Sequence, residues 1–383
     1  MNPIVVIGSG LAGYSVAREL RKLDREVAVT VVTEDDGAFY SKPMLSNAFA
    51  LKKAPASLAT AAAPQLAGDY GIEILAGHPV TRVDRAARTV EVNGRVLAYD
   101  RLVLAVGGRP IRLELAGDAA DRVVSVNNLG DYRRFRQHLE THPRVALLGA
   151  GLVGCEFAND LAAAGHAVDV IDIAPRALPR FWPEPMALEF QARLAAAGVR
   201  WHLSESVERI DAAGDGLAIV LESGCALHAD TVLSAVGLSA NTALAVQAGL
   251  AVNRGIVVDR HLQTDDEHIY ALGDCAEVEG LLLPFIMPIM HAARALARTL
   301  SGERTAVVYP AMPVVLKTPA CPAVFFPSKL PGGGKWHVER EAAGMRAFYR
   351  ASDGSLLAAA LSGTCTREKD AVAKLLPALT GAA

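Results

Sequence analysis

Two glycine fingerprints of one kind constrain this chain more than any other feature: Gly8-Ser9-Gly10-Leu11-Ala12-Gly13 and Gly149-Ala150-Gly151-Leu152-Val153-Gly154. Each follows an apolar β-like run, at 3–7 and 144–148, and each opens an amphipathic helical stretch. In that setting the first glycine permits a tight turn and the second lets backbone approach a pyrophosphate. The third lets the helix pack on the strand. One such match is weak; two in a strand–turn–helix context imply two bound dinucleotides and electron traffic between them.

The segments after the fingerprints resemble each other. A helix over 14–22, with Val16, Ala17 and Leu20 on one face, is followed by a strand over 27–32 that ends at Thr33-Glu34. In the second half a helix over 157–164 and a strand over 167–171 end at Asp172. Each half closes with an apolar strand running into glycine, 101–107 and 231–237, so both read as parallel sheets built by right-handed crossovers. A late strand signal at 269–274 is expected to return the chain to the first domain. Beyond about residue 303 the texture changes to alternating stretches, 314–316, 336–338 and 345–349, around a turn at 332–334, with a closing helix near 367–376.

The predicted fold is therefore α/β, with two Rossmann-like dinucleotide-binding domains plus a small C-terminal α+β domain. Residues 1–107 and 238–303 are expected to form a discontinuous first dinucleotide-binding domain, 108–237 the second, and 304–383 the C-terminal domain. A chain of 383 residues, 51% hydrophobic and 21% charged, has the apolar content for such cores.

The net charge of −3 argues against nucleic acid as a partner. Basic groups such as Arg133, Arg134 and Arg136 read as solvated helix faces. The most apolar stretch, 281–290, is short and broken by Pro284 and Pro288, so no membrane insertion is expected. With no leader-like start, a soluble cytoplasmic protein is the expectation. The five cysteines, Cys155, Cys225, Cys275, Cys321 and Cys365, include no CxxC pair, and the odd number suggests no disulfide framework. The ten histidines show no metal-ligand spacing, so no metal is expected.

Glu34 follows Gly13, and Asp172 follows Gly154, at close to the ~20-residue offset of a carboxylate that bonds a ribose 2′-hydroxyl. An acid at that point repels a 2′-phosphate, which favours NADH over NADPH in the second site, although Arg176 nearby suits a phosphate. The bland alternative for each acid is a solvated strand end. Asp274 ends an apolar strand after Gly273 and suits a polyol such as the FAD ribityl chain, or a turn. Ile286-Met287-Pro288 begins a helix to about Leu300, whose free N–H groups favour an anionic reduced flavin, or which is simply a core helix. Lys42, in the proline-fixed loop Tyr40-Ser41-Lys42-Pro43, is expected to pair with Glu156 beside the flavin edge that receives electrons. Read alone, Lys42 is a surface lysine and Glu156 a first-turn acid.

The two fingerprints, the Ala105-Val106-Gly107 and Ala235-Val236-Gly237 turns and Tyr270-Ala271-Leu272-Gly273-Asp274 together resemble the two-dinucleotide flavoprotein disulfide-reductase superfamily. Ser41-Lys42-Pro43-Met44-Leu45-Ser46, Gly154-Cys155-Glu156-Phe157-Ala158-Asn159-Asp160-Leu161, residues 250–260 and Lys317-Thr318-Pro319-Ala320-Cys321-Pro322 are similar to its ferredoxin and rubredoxin reductases. The resemblance implies a flavoprotein oxidoreductase with a non-covalent FAD site using Ser9, Gly10, Leu11, Ala12, Thr33, Glu34, Lys42, backbone at Val80, Glu156, Asp274, Ile286 and Lys317. It also implies NADH as donor and rubredoxin as an iron–sulfur acceptor that feeds alkane hydroxylation. Ferredoxin reductases usually carry the flavin lysine where this chain has Asn47, so that role falls on Lys42. Disulfide-reducing relatives carry a cysteine pair beside the flavin, whereas no cysteine precedes Cys155 here, which favours a one-electron protein acceptor. The short C-terminal domain points to a monomer. A ferredoxin reductase serving an oxygenase, and a redox-responsive flavin-binding interaction protein, are the alternatives.

Overall fold

A computed structural model describes residues 3–139, 143–328 and 333–380. Its first sheet has five parallel strands in the order Ile269–Ala271, Arg101–Leu104, Ile4–Ile7, Val29–Val32 and Glu73–Leu75. All four residues of Ile4–Ile7 are buried, as a central parallel strand covered on both faces requires. Its neighbours Val31, Leu102, Val103 and Leu104 are fully buried, each side chain contributing about 1.5–3 kcal/mol by leaving water. The strand at 269–271 joins this sheet beside Arg101–Leu104, in register Ile269 to Leu102.

The second sheet repeats the plan with four parallel strands, Val199–Leu203, Ala167–Asp172, Arg144–Leu148 and Thr231–Ser234. In each half a helix leaves the central strand through the fingerprint, Leu11–Leu23 in the first and Leu152–Ala163 in the second. Val16, Ala17 and Leu20 form the buried face of the first, as the spacing predicts. The duplication goes further than the sequence reading. Each half also carries a three-stranded antiparallel ribbon, Val80–Asp84/Thr89–Val92/Arg95–Ala98 and Val207–Ala213/Gly216–Leu221/Ala226–Ala229.

Strand ends differ from expectation for local reasons. The strand expected from 27 starts at Val29, because Asp24 Oδ1 accepts the N–H groups of Glu26 and Val27 and holds them in a turn. The closing strands stop at Leu104 and Ser234, and the chain turns at Gly107 (φ +66°) and Gly237 (φ +121°). It then runs into Gly108–Pro110 and Leu238–Ala240, which pair antiparallel where the chain passes between the two sheets.

The C-terminal sheet is antiparallel, ordered Val314–Leu316, Ala323–Phe325, Leu356–Gly363, Gly344–Arg350, Lys335–Glu341. Its Leu316, Phe325, Ala347 and Ala360 share one apolar cluster with Leu147, Phe157 and Leu161 of the second half. The closing helix is shorter than expected: a 3-10 turn, Thr364–Glu368, then Lys369–Ala373, with Pro377 close behind. The expected turn at 332–334 falls partly outside the described residues. Among the described residues no helix is long and apolar enough to cross a membrane.

Candidate functional site

Both fingerprints adopt one geometry. Gly8 and Gly149 have φ of +115° and +108°, which L side chains rarely adopt. A Cβ on Gly13 would collide with the Gly8 carbonyl oxygen, and one on Gly154 with the Gly149 carbonyl oxygen. Gly10 and Gly151, in contrast, face open space. Neither helix has a side-chain cap at its start, nor has Ile286–Leu300, which begins at Ile286 as predicted. Three sets of unsatisfied N–H groups are thus available to phosphate or carbonyl oxygen. Leu11 and Ala12 open the first helix beside its loop.

The two strand-end acids part ways. Asp172 accepts from Ala150 N at 2.5 Å and Ala174 N at 2.7 Å, so it braces the second glycine loop and still has lone pairs to offer a further donor. Glu34 is exposed and takes no part in the corresponding brace, which uses its neighbour. Asp35 Oδ1 accepts from Ser9 Oγ at 2.9 Å, Thr33 Oγ1 at 2.7 Å and Gly37 N at 3.0 Å. Sequence reasoning missed Asp35; its Asp-x-Gly spacing, 35 to 37, is an Asx-turn signal. The segment leading to Val80 is tied to Thr33 through His78 N.

Lys42 opens the 3-10 helix Lys42–Asn47. Its ammonium donates to Asn127 Oδ1 at 2.6 Å, while Asn127 Nδ2 donates to the Gly108 carbonyl. Burial pulls the Lys42 ammonium below the ordinary lysine value, and Asp274 and Asp131 push it back. Burial likewise raises the Asp274 carboxyl, and Lys42 lowers it. The two charges therefore act on each other in a shielded but partly solvent-exposed corner.

The expected Lys42–Glu156 pair does not form. Glu156 binds Lys317, whose Nζ lies 2.6 Å from both carboxylate oxygens and whose backbone N–H donates at 3.0 Å. Ser46 Oγ donates to the same carboxylate at 2.6 Å. Lys317 wins because it follows a strand of the C-terminal sheet packed on the Glu156 helix, whereas Lys42 is drawn to Asn127. Two more polar side chains of that helix were not foreseen. Asn159 Oδ1 accepts from Ala320 N at 3.1 Å, and Asp160 accepts from Phe49 N and Ala50 N at 3.0 and 2.7 Å. Their spacing after Glu156, three and four residues on, places all three on one helix face and was the available signal.

These residues fit two dinucleotides. The open glycines, uncapped helix starts and strand-end acids supply donors and acceptors. Ile286 and Met287 are each 44% exposed at one helix start, suited to a ring system. Asn47 Oδ1 is buried without a partner. The buried cysteines Cys155, Cys275 and Cys321 are poor redox candidates: burial pushes the Cys275 thiol up to about 12 and the Cys321 thiol up to about 11. Burial raises Cys155 further still.

Residues 2–298 match the family described as pyridine nucleotide-disulphide oxidoreductase, and residues 306–376 match a rubredoxin binding C-terminal domain. The chain is 44% identical over 380 residues to the Rubredoxin-NAD(+) reductase of Alcanivorax borkumensis, covering 99% of this chain and 100% of that one. It is 45% identical to the Rubredoxin-NAD(+) reductase of Acinetobacter baylyi, covering 99% of each. Among solved structures it superposes on the ferredoxin reductase for the CYP199A2 system of Rhodopseudomonas palustris. That match has a TM-score of 0.87 and 27% identity, covering 94% of this chain and 91% of that one.

Proposed function

The chain belongs to the pyridine nucleotide-disulphide oxidoreductase family, and on that premise we propose that it passes electrons from NADH through FAD to rubredoxin. The observation that carries the reading is Glu156. It sits on the helix of the second glycine loop and grips Lys317, in the part of the chain that matches a rubredoxin-binding domain. Donor side and acceptor side therefore meet at one carboxylate. FAD, when bound, accepts two electrons from NADH together and releases them one at a time.

The division of labour follows the geometry. The first glycine loop, Ser9, Thr33 and Glu34 would hold the FAD adenosine and pyrophosphate, with Val80 backbone alongside. Asp274, Lys42 and the helix start at Ile286 and Met287 would hold its ribityl and ring portions. The second loop, Gly149 to Gly154, would take the NADH pyrophosphate, with Asp172 accepting the ribose hydroxyls and disfavouring a 2′-phosphate. Lys42 and the Glu156–Lys317 pair would supply fixed charge at the ring edge, where preorganised dipoles are most effective. The domain division proposed is 1–107 with 238–303 for FAD, 108–237 for NADH and 304–383 for the acceptor.

Alkane hydroxylation as the destination of the electrons rests on the resemblance alone, and a monomer on the size of the last domain. The likeness to a ferredoxin reductase favours a second reading, in which a ferredoxin replaces rubredoxin. Rapid mixing of the FAD-loaded, NADH-reduced protein with each acceptor separates them. Reoxidation by rubredoxin and not by a [2Fe–2S] ferredoxin supports the first reading; the reverse result replaces it with the second.

A further inference from the structure

The segment that carries Lys42 belongs to the first half by sequence but is held by the second. Leu45 and Ala48 are buried in the apolar cluster of the second half and the C-terminal sheet. The Phe49 ring packs against the Arg136 guanidinium, 3.7 Å from its centroid, and against the His166 ring, edge-on at 5.4 Å. Asp160, fully buried on the second fingerprint helix, takes the N–H groups of Phe49 and Ala50 on its two oxygens. A carboxylate suits this task, since it offers acceptors to both donors, whereas an asparagine has one oxygen and turns an NH2 toward the other. Burial raises the Asp160 carboxyl, while the two N–H groups and the Arg136 charge hold it down.

We propose that Asp160 is a positioning residue for Lys42: it clamps the 42–50 segment to the NADH-side helix and so keeps the Lys42 ammonium at the corner made by Asn127 and Asp274. The inference rests on the reading that Lys42 serves flavin reduction by NADH. Asn127 lies in the second half and Asp274 follows a strand of the first sheet, so a loose segment would let Lys42 leave a corner that both halves build. Displacement of a charged group by about 1 Å suffices for large rate losses.

The test uses the FAD-loaded protein, Asp160→Asn, Lys42→Ala and the double variant. Stopped-flow reduction by NADH should slow about tenfold in Asp160→Asn, with FAD content within about twofold of the parent. In the Lys42→Ala background the same change should slow reduction no further, because its effect acts through Lys42. Equal slowing in both backgrounds, or no slowing in either, overturns the proposal. A second readout needs neither NADH nor flavin: amide exchange at Phe49 and Ala50 should accelerate in Asp160→Asn, and unchanged exchange overturns the clamp. If Asp160→Asn does not fold, Phe49→Leu loosens the same segment and should show the same dependence on Lys42; additivity there contradicts the proposal. A parent protein that NADH cannot bleach would sink the functional reading, while the exchange readout still judges the clamp.

Discussion

Lys317 and Glu156 form a two-pronged ion pair, with Nζ 2.6 Å from each carboxylate oxygen, across 161 residues of sequence. The pair joins the C-terminal sheet to the helix of the second glycine loop, and Ser46 adds the loop that carries Lys42. One carboxylate thus touches all three parts of the chain that electron transfer would involve.

Removing one partner should be costly, because it strands the other. Lys317→Met leaves Glu156, 8% exposed, without its cation. The expected loss is about 3 kcal/mol, at the low end for buried pairs because Lys317 retains a quarter of its exposure. Urea melts of flavin-free protein measure it; a loss below about 1 kcal/mol would show the pair to be energetically idle.

The two glycine loops should be separable. Gly154→Ala drives a methyl into the Gly149 carbonyl, so it should retain FAD while weakening NADH-dependent reduction tenfold or more. Gly13→Ala makes the equivalent collision with Gly8 and should instead lower FAD content. Flavin absorbance per chain and NADH titration distinguish the two. Identical phenotypes would contradict the assignment of one dinucleotide to each loop.

Lys42→Ala should slow flavin reduction by NADH far more than it lowers FAD content. The ammonium occupies a corner beside Asp274 rather than forming part of a structural ion-pair network. An unchanged reduction rate removes Lys42 from the mechanism.

Asp169 gives a pH signature. Burial works to raise its carboxyl, yet hydrogen bonds from Arg200 and His202 prevail and hold it below the ordinary value of 3.8. Because the folded value is the lower one, its stabilisation is fully present above pH 3.8 and is lost as pH falls through the folded value. Asp169→Asn should therefore be less stable near neutrality but lose less as pH falls below 3.8. Parallel stability curves for the two proteins in that range would rule this out.

The parts of this molecule that steric rules dictate were legible in the chain. Gly8, Gly13, Gly149 and Gly154 are glycines because a Cβ would meet backbone, and the strands before them are buried on both faces. Partnerships between distant segments were not legible. Lys42, held in a proline-fixed loop, looked like the partner of Glu156, but packing of the C-terminal sheet delivers Lys317 instead. The strand Leu356–Gly363 escaped notice because its run of alanines carries little β-propensity. It is a strand because it lies between two others, where Ala358, Ala359 and Ala360 are buried. Nothing in the sequence joins Asp160 to the backbone N–H groups of Phe49 and Ala50, which only the fold brings to it.

The most direct test of the account is stopped-flow absorbance on the FAD-loaded protein, mixed first with NADH and then with oxidised rubredoxin. NADH should bleach the flavin rapidly, and rubredoxin should reoxidise it rapidly. Failure of NADH to bleach the flavin, or a reduced protein that rubredoxin leaves unchanged, would contradict it.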